Sequence, residues 1–286
     1  MDRRTFVGGS FGLAAALTLP RAVRAAQATP VAAPVSGLPT LAITLTDTGF
    51  AIAQPITAGR YAVIVANAGT LTDSHFGLGK IPDRITDAQY EEWLNAEGDT
   101  ADLSFEDIAF VGVPDWPPPG GSVSGVVDIE AGRYFLFDPF SGREAQTIVV
   151  EGELAAAPEP PADLSVILRE MEIVLPETAF TTAPMRWKIE NTGAMSHEVA
   201  LVPVAPDFTA AHLAELFALP EGATPPAGVP ELVYQPVAAI GILAGQHTSW
   251  LDVRLQPGRY LAACMLPFST GYPHAMDGMY VFFDVK

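Results

Sequence analysis

The apolar positions of this chain fall in short runs broken by turn residues, and where they repeat, the period is two. The segments VSGVVDIE (123–130) and TSWLDVRL (248–255) alternate apolar and polar residues, as half-buried strands do. YAVIVANAG (61–69) and MRWKIENTG (185–193) read as two further strands, each running out at a glycine. Helical spacing is confined to two short stretches, 87–96 and 207–218, each opened by an aspartate suited to an N-cap. Tyr90, Trp93 and Leu94 share one face of the first, and Leu213, Leu216 and Phe217 one face of the second. No long amphipathic helices alternate with the strands, which excludes a βαβ architecture. The expectation is an all-β protein with short helical insertions.

These landmarks occur twice, in the same order. Each copy has a strand ending in a glycine, a histidine shortly after (His75, His197), a short helix, an alternating strand, and a Gly-Arg-Tyr turn. Ala-Gly-Arg-Tyr (131–134) and Pro-Gly-Arg-Tyr (257–260) read as the turns of two matching hairpins. A Pro/Ala linker, 155–162, separates the copies, so the expected units are 40–154 and 163–286, with 29–39 a flexible lead-in. Laid together, the copies align Asp138 with Cys264.

Apolar residues make up 49% of the 286 and charged ones 17%, enough to bury a sizeable core and too apolar for a disordered chain. Residues 1–28 read as a cleaved twin-arginine signal peptide: Arg3-Arg4, a short apolar run, then a small-residue site at Ala26-Gln27-Ala28. The apolar run is too short to span a bilayer. Its removal takes four arginines and one aspartate, moving the formal charge from −18 to −21 (11 basic minus 32 acidic). A surface so acidic repels nucleic acid and favours a basic protein partner. The expected location is the periplasm or the exterior, with no membrane insertion.

One cysteine, Cys264, cannot form an internal disulfide. It opens CMLPFSTGYPHAMDGM, which adds His274 and Met279 at a Cys-x9-His-x4-Met spacing. Thiolate, imidazole and thioether together suit copper. Taken singly, each residue is more often core or structural: cysteine is among the most buried residue types, and Met279 leads into an apolar strand, 280–285.

The second copy resembles the cupredoxins, the β-sandwich domains of blue copper proteins. The resemblance lies in Asn191-Thr-Gly193 followed by His197, and in a Cys264–His274–Met279 loop between the last two strands. The loop's length, its Pro273-His274 and its Gly278-Met279 are similar to the type 1 site of copper nitrite reductases. The resemblance implies two tandem cupredoxin-like Greek-key β-sandwiches. It further implies one type 1 copper ion in the second, with His197, Cys264 and His274 equatorial and Met279 axial. Pro267, Phe268, Tyr272 and Pro273 are then expected to exclude water. An exposed His274 ring edge, among Met265, Leu266, Phe268, Tyr272 and Met276, is expected to be a docking surface. The first copy reaches the family only through the fold and lacks the soft ligands.

The same comparison argues against the enzymes of the family. A nitrite reductase implies a second copper with a histidine immediately before the cysteine, where this chain has Ala263. Multicopper oxidases imply His-x-His pairs, and the five histidines of this chain form none. His75 has no companion ligands in its copy and is expected to be surface or structural. His212 on the helix and His247 on a strand are not expected to be ligands. The sequence leaves two readings: an exported mononuclear copper protein for electron transfer or copper binding, and a metal-free cupredoxin-like binding or structural module.

Overall fold

The computed structural model describes residues 37–72, 74–96, 99–138, 141–220, 223–267 and 271–286. The expected signal peptide, most of the lead-in, and Phe268 lie outside the described residues. The chain is mostly β. The first half contributes β1 (Thr40–Leu45), β2 (Phe50–Ile52), β3 (Ile56–Thr57), β4 (Gly59–Asn67) and β5 (Gly77–Ile81). It continues through β6 (Ala109–Phe110), β7 (Pro114–Asp115), β8 (Ser122–Ile129), β9 (Gly132–Phe137) and β10 (Gln146–Glu151). The second half contributes β11 (Leu164–Arg169), β12 (Glu172–Val174), β13 (Met185–Asn191) and β14 (His197–Val204). It ends with β15 (Ala238–Leu243), β16 (Thr248–Val253), β17 (Gly258–Ala263) and β18 (Tyr280–Val285). Among the described residues there are two α-helices, α1 (Asp87–Asn95) and α2 (Ala210–Phe217). No helix there is long and apolar enough to cross a membrane.

Among the described residues three sheets carry the fold. An eight-stranded sheet runs β12-β11-β13-β16-β8-β4-β1-β2, four strands from each half. The halves meet where β16 pairs antiparallel with β8. At that seam a Cβ on Gly125 would lie 2.0 Å from the Trp250 carbonyl oxygen, so only glycine permits the approach. A five-stranded sheet of the first half (β3-β10-β9-β5-β6) and another of the second (β18-β17-β14-β15-β7) complete the molecule. Each is joined to the eight-stranded sheet by a buried apolar cluster. In the first half Ile43, Val63 and Val127 meet Leu78, Tyr134 and Leu136; in the second Trp187, Ile189 and Leu251 meet Val199, Tyr260 and Phe283.

The halves are interwoven more closely than two sandwiches on a linker. Strand β7 of the first half is the edge strand of the second half's five-stranded sheet, pairing with β15 through Asp115–Ala239 and Pro114–Ile240. Gly112 donates to Ile242 O (2.8 Å) and Gly241 donates to Val113 O (2.8 Å), extending that seam. The segment 155–162 forms no strand or helix, and Arg60 donates to the carbonyls of Ala157 and Pro158 within it.

Three local expectations are corrected. The Gly-Arg-Tyr turns do not close hairpins: β8 and β16 belong to the eight-stranded sheet, whereas β9 and β17 belong to the five-stranded ones. Gly132 and Gly258 take left-handed φ angles of 147° and 154° there, and turn chemistry serves a corner between layers as well as a hairpin. The helix caps are threonines, not Asp87 and Asp207. Thr86 and Thr209 accept from the backbone N–H groups of Gln89 and His212 (3.3 Å each), a capping-box arrangement. His247 precedes β16 rather than lying on a strand, with Nδ1 2.8 Å from Gly245 O.

Candidate metal centre

Asn191 ends β13 and organises the turn after it. Its Oδ1 accepts from Gly193 N (3.1 Å) while Nδ2 donates to Met195 O (2.8 Å) and Leu243 O (2.9 Å). Those bonds fix the turn that delivers His197 to the start of β14. Between His197 and Val199 the β14–β15 register shifts, an irregularity of the kind that re-aims a side chain. Cys264 lies one residue past β17, which pairs with β14 from Ala200–Ala263 onward. The first two ligand candidates therefore sit on adjacent strands at one end of the sheet.

The long loop brings back the other two. His274 N donates to Leu266 O (2.9 Å) and Ala275 N to Cys264 O (2.9 Å). Pro267 and Pro273 form a bridge, which places His274 beside Cys264. A 3-10 turn, His274–Asp277, ends at Gly278 with φ 100°, a left-handed conformation that favours glycine. Met279 N then donates to His274 O (3.1 Å), and Cys264 N to Met279 O (3.1 Å).

The result is a converging set of side chains. One ligand atom each from His197, Cys264 and His274 all lie within 4.8 Å of one another. The two Nδ1 atoms are 3.2 Å apart and Cys264 Sγ is 3.5 Å from His274 Nδ1. With metal–nitrogen and metal–sulfur bonds of about 2.0 and 2.3 Å, these spacings subtend roughly 100–110° at a shared ion. The three residues fit one metal. Met279 is fully buried in the apolar cluster that also holds Cys264 and Leu266.

The electrostatics suit a cation. Burial lowers both imidazoles, His197 and His274, to about 4, so they are neutral and have a lone pair to donate at neutral pH. Burial pushes the Cys264 thiol up, and the nearby Glu198 carboxylate adds to this. A thiolate there requires a positive partner, and a metal ion is one.

His274 is 2% exposed, so its ring edge is covered rather than displayed. Of the loop residues expected around it, Tyr272 and Met276 are exposed, while Met265 and Leu266 are buried. Pro273 is buried and Pro267 partly so, but Tyr272 points to solvent and does not shield the cluster.

The first half holds other side chains at the equivalent positions. Asp138 lies one residue past β9, as Cys264 does past β17. It forms an ion pair with Arg143 in which neither side chain has any solvent exposure, and Arg143 also reaches Ser74 Oγ (3.0 Å). Asn67 repeats the part of Asn191, accepting from Gly69 N (3.0 Å) and donating to Leu71 O (2.9 Å). Among the described residues, His197, Cys264 and His274 form the one cluster of at least three metal-ligating groups.

His75 is not the isolated residue expected. It is buried, forms an ion pair with Asp115 through Nδ1, and has Nε2 3.9 Å from Glu198 Oε2. Burial opposes its charged form, but Asp115, Glu198 and Asp138 outweigh it and raise His75 to about 9. Sequence reasoning missed Asp115 and Glu198 altogether.

No protein-family model matches the sequence, and no curated protein is similar to it. Solved structures that align with it include auracyanin B, at 19% identity over 45% of this chain and 92% of that one, TM-score 0.29. A dithionite-reduced auracyanin from the photosynthetic bacterium Roseiflexus castenholzii aligns at 20% identity over 43% and 94%, TM-score 0.28. A copper-containing nitrite reductase from Thermus scotoductus SA-01 aligns at 11% identity over 86% and 61%, TM-score 0.25. Likeness at this level carries no argument about function; the site rests on its own geometry.

Proposed function

We propose that this chain is an exported, mononuclear type 1 copper protein that transfers electrons. The observation that carries the reading is the convergence of His197 Nδ1, His274 Nδ1 and Cys264 Sγ in a buried cluster. In this reading the three would hold the ion, and Met279, buried in the same cluster, would add a weak thioether donor. Two imidazoles, a thiolate and a weak thioether make a donor set that suits copper over hard cations. A bound copper ion supplies a reversible one-electron couple. The chain's own residues hold the donors in place through β14, β17 and the bonded loop neck, and keep water from them through burial.

The two halves are read as duplicated cupredoxin-like Greek-key sandwiches, of which the first, with Asp138 and Arg143 in place of ligands, holds no metal. Export is supported by the Arg3-Arg4 segment and the small-residue site at 26–28, and a basic redox partner by the formal charge of −21 (11 basic minus 32 acidic) left after residues 1–28. Catalysis on nitrite or oxygen needs a second metal position with its own ligands, and the reading assigns none. Elemental analysis of the mature protein after copper loading, together with a redox titration, tests the reading. One copper per chain with a reversible one-electron wave supports it; a chain that retains no copper after dialysis contradicts it.

A further inference from the structure

We propose that His75 and Asp115, both from the first half, are positioning residues for the metal centre of the second half, acting through Glu198. This rests on the copper reading of that centre. Glu198 follows the ligand His197 on β14 and touches the opposite ligand segment twice. Its amide N–H donates to Cys264 Sγ (3.4 Å), and its carboxylate Oε1 accepts from Met265 N (2.9 Å). One residue therefore ties the first histidine's strand to the cysteine and to the residue after it. The orientation of the thiolate and its spacing from His197 depend on where Glu198 is held.

The other carboxylate oxygen of Glu198 faces the first half. His75 Nε2 stands 3.9 Å from Oε2, and His75 Nδ1 is ion-paired with Asp115. Asp115 is in turn fixed by the backbone, accepting on Oδ1 from Phe76 N (2.8 Å) and Trp116 N (2.7 Å). The ring of Trp116 packs on His75 (centroids 5.8 Å) and on Tyr234 (6.0 Å). His75, Asp115 and Glu198 are all buried. A buried carboxylate needs an opposite charge or strong hydrogen bonds, and an imidazole between two carboxylates meets that need for both. Asp115 reaches this position because β7 leaves its own half to join β15.

The arrangement is not repeated in the first half. The residue after His75 is the apolar Phe76, where the second half has Glu198. A carboxylate follows the histidine on β14, and an apolar residue follows His75 in the first half. Outer partners of this kind orient metal ligands, and their loss typically weakens metal binding about 10–100-fold.

The test uses the full mature chain and three variants, His75→Phe, His75→Gln and Asp115→Asn. Copper(II) affinity and the thiolate-to-copper absorption are measured on the loaded proteins, and the labelling rate of Cys264 by a thiol reagent on the metal-free ones. The proposal expects His75→Phe to bind copper about 10–100-fold more weakly, with a shifted absorption band and faster labelling. His75→Gln, which keeps a polar group near Glu198, should recover part of each change. A His75→Phe protein that melts lower but keeps the affinity, band and labelling rate of the parent overturns it: the cluster is then only a weld between halves. Should His75→Phe fail to fold, Asp115→Asn, nearly isosteric, is read by the same criteria. If the parent itself shows no copper band, the copper reading fails, and labelling still decides the positioning: faster supports it, unchanged overturns it.

Discussion

His197 and His274 meet at their Nδ1 atoms, 3.2 Å apart, although 77 positions separate them in the chain. Their rings stand edge to face, with centroids 5.1 Å apart and planes at 73°. His274 Nδ1 is also 3.5 Å from Cys264 Sγ. Without an ion, one N–H···N hydrogen bond accounts for the contact; with an ion, both lone pairs are used.

The asparagines at equivalent turns separate stability from metal binding. Replacing Asn191 by Ala leaves Gly193 N, Met195 O and Leu243 O without their side-chain partner. The expected cost is about 1–3 kcal/mol, together with weaker copper binding, because this turn delivers His197. Asn67→Ala should lose stability on the same scale and weaken copper binding less than Asn191→Ala does, because its turn carries His75 rather than a candidate ligand. Denaturant melts and copper titrations of the two variants check this.

The Asp138–Arg143 pair should behave as a structural substitute for ligands. Both side chains are fully buried, so Arg143→Ala leaves an uncompensated carboxylate and should cost about 3–5 kcal/mol. Copper affinity of the folded fraction should fall less than in His75→Phe, because Arg143 reaches that cluster only through Ser74 and Asp138. Replacing both residues by apolar ones of similar volume should restore much of the stability, as measured by chemical denaturation.

How far the sequence reached depends on where each contact comes from. The meeting of Cys264 and His274 was legible because they share one loop, and that of His197 because the repeated order of landmarks set it opposite His75. The corner turns were misread as hairpins because Gly-Arg-Tyr chemistry is local, whereas the sheet that each strand joins is decided by packing far away. Asp115 and Glu198 were illegible for a similar reason. Nothing in the sequence near Asp115 shows that β7 crosses to the other half, and without that crossing His75 has no visible partner.

That buried pair gives stability a defined pH dependence. His75 is raised from 6.5 to about 9 in the folded chain, so folding favours its protonated form. A raised value means the contribution is fully present below about pH 6.5 and is lost as pH rises through about 9. Asp115 is also raised, by burial, and acts in the same direction. Glu198 and Asp138 face His75 as well, the latter paired with Arg143. Unfolding free energies between pH 6 and 10 should fall for the parent, and much less for His75→Gln; equal slopes would exclude His75 as the source.

The central claim is that Cys264 binds copper as a thiolate beside two imidazoles, and visible spectroscopy of the copper(II)-loaded mature protein tests it most directly. The account predicts an intense thiolate-to-copper charge-transfer band at one equivalent of copper, abolished in Cys264→Ser and lost or strongly altered in His274→Ala. A colourless protein that leaves the copper in the buffer, or a band that survives Cys264→Ser, would contradict it.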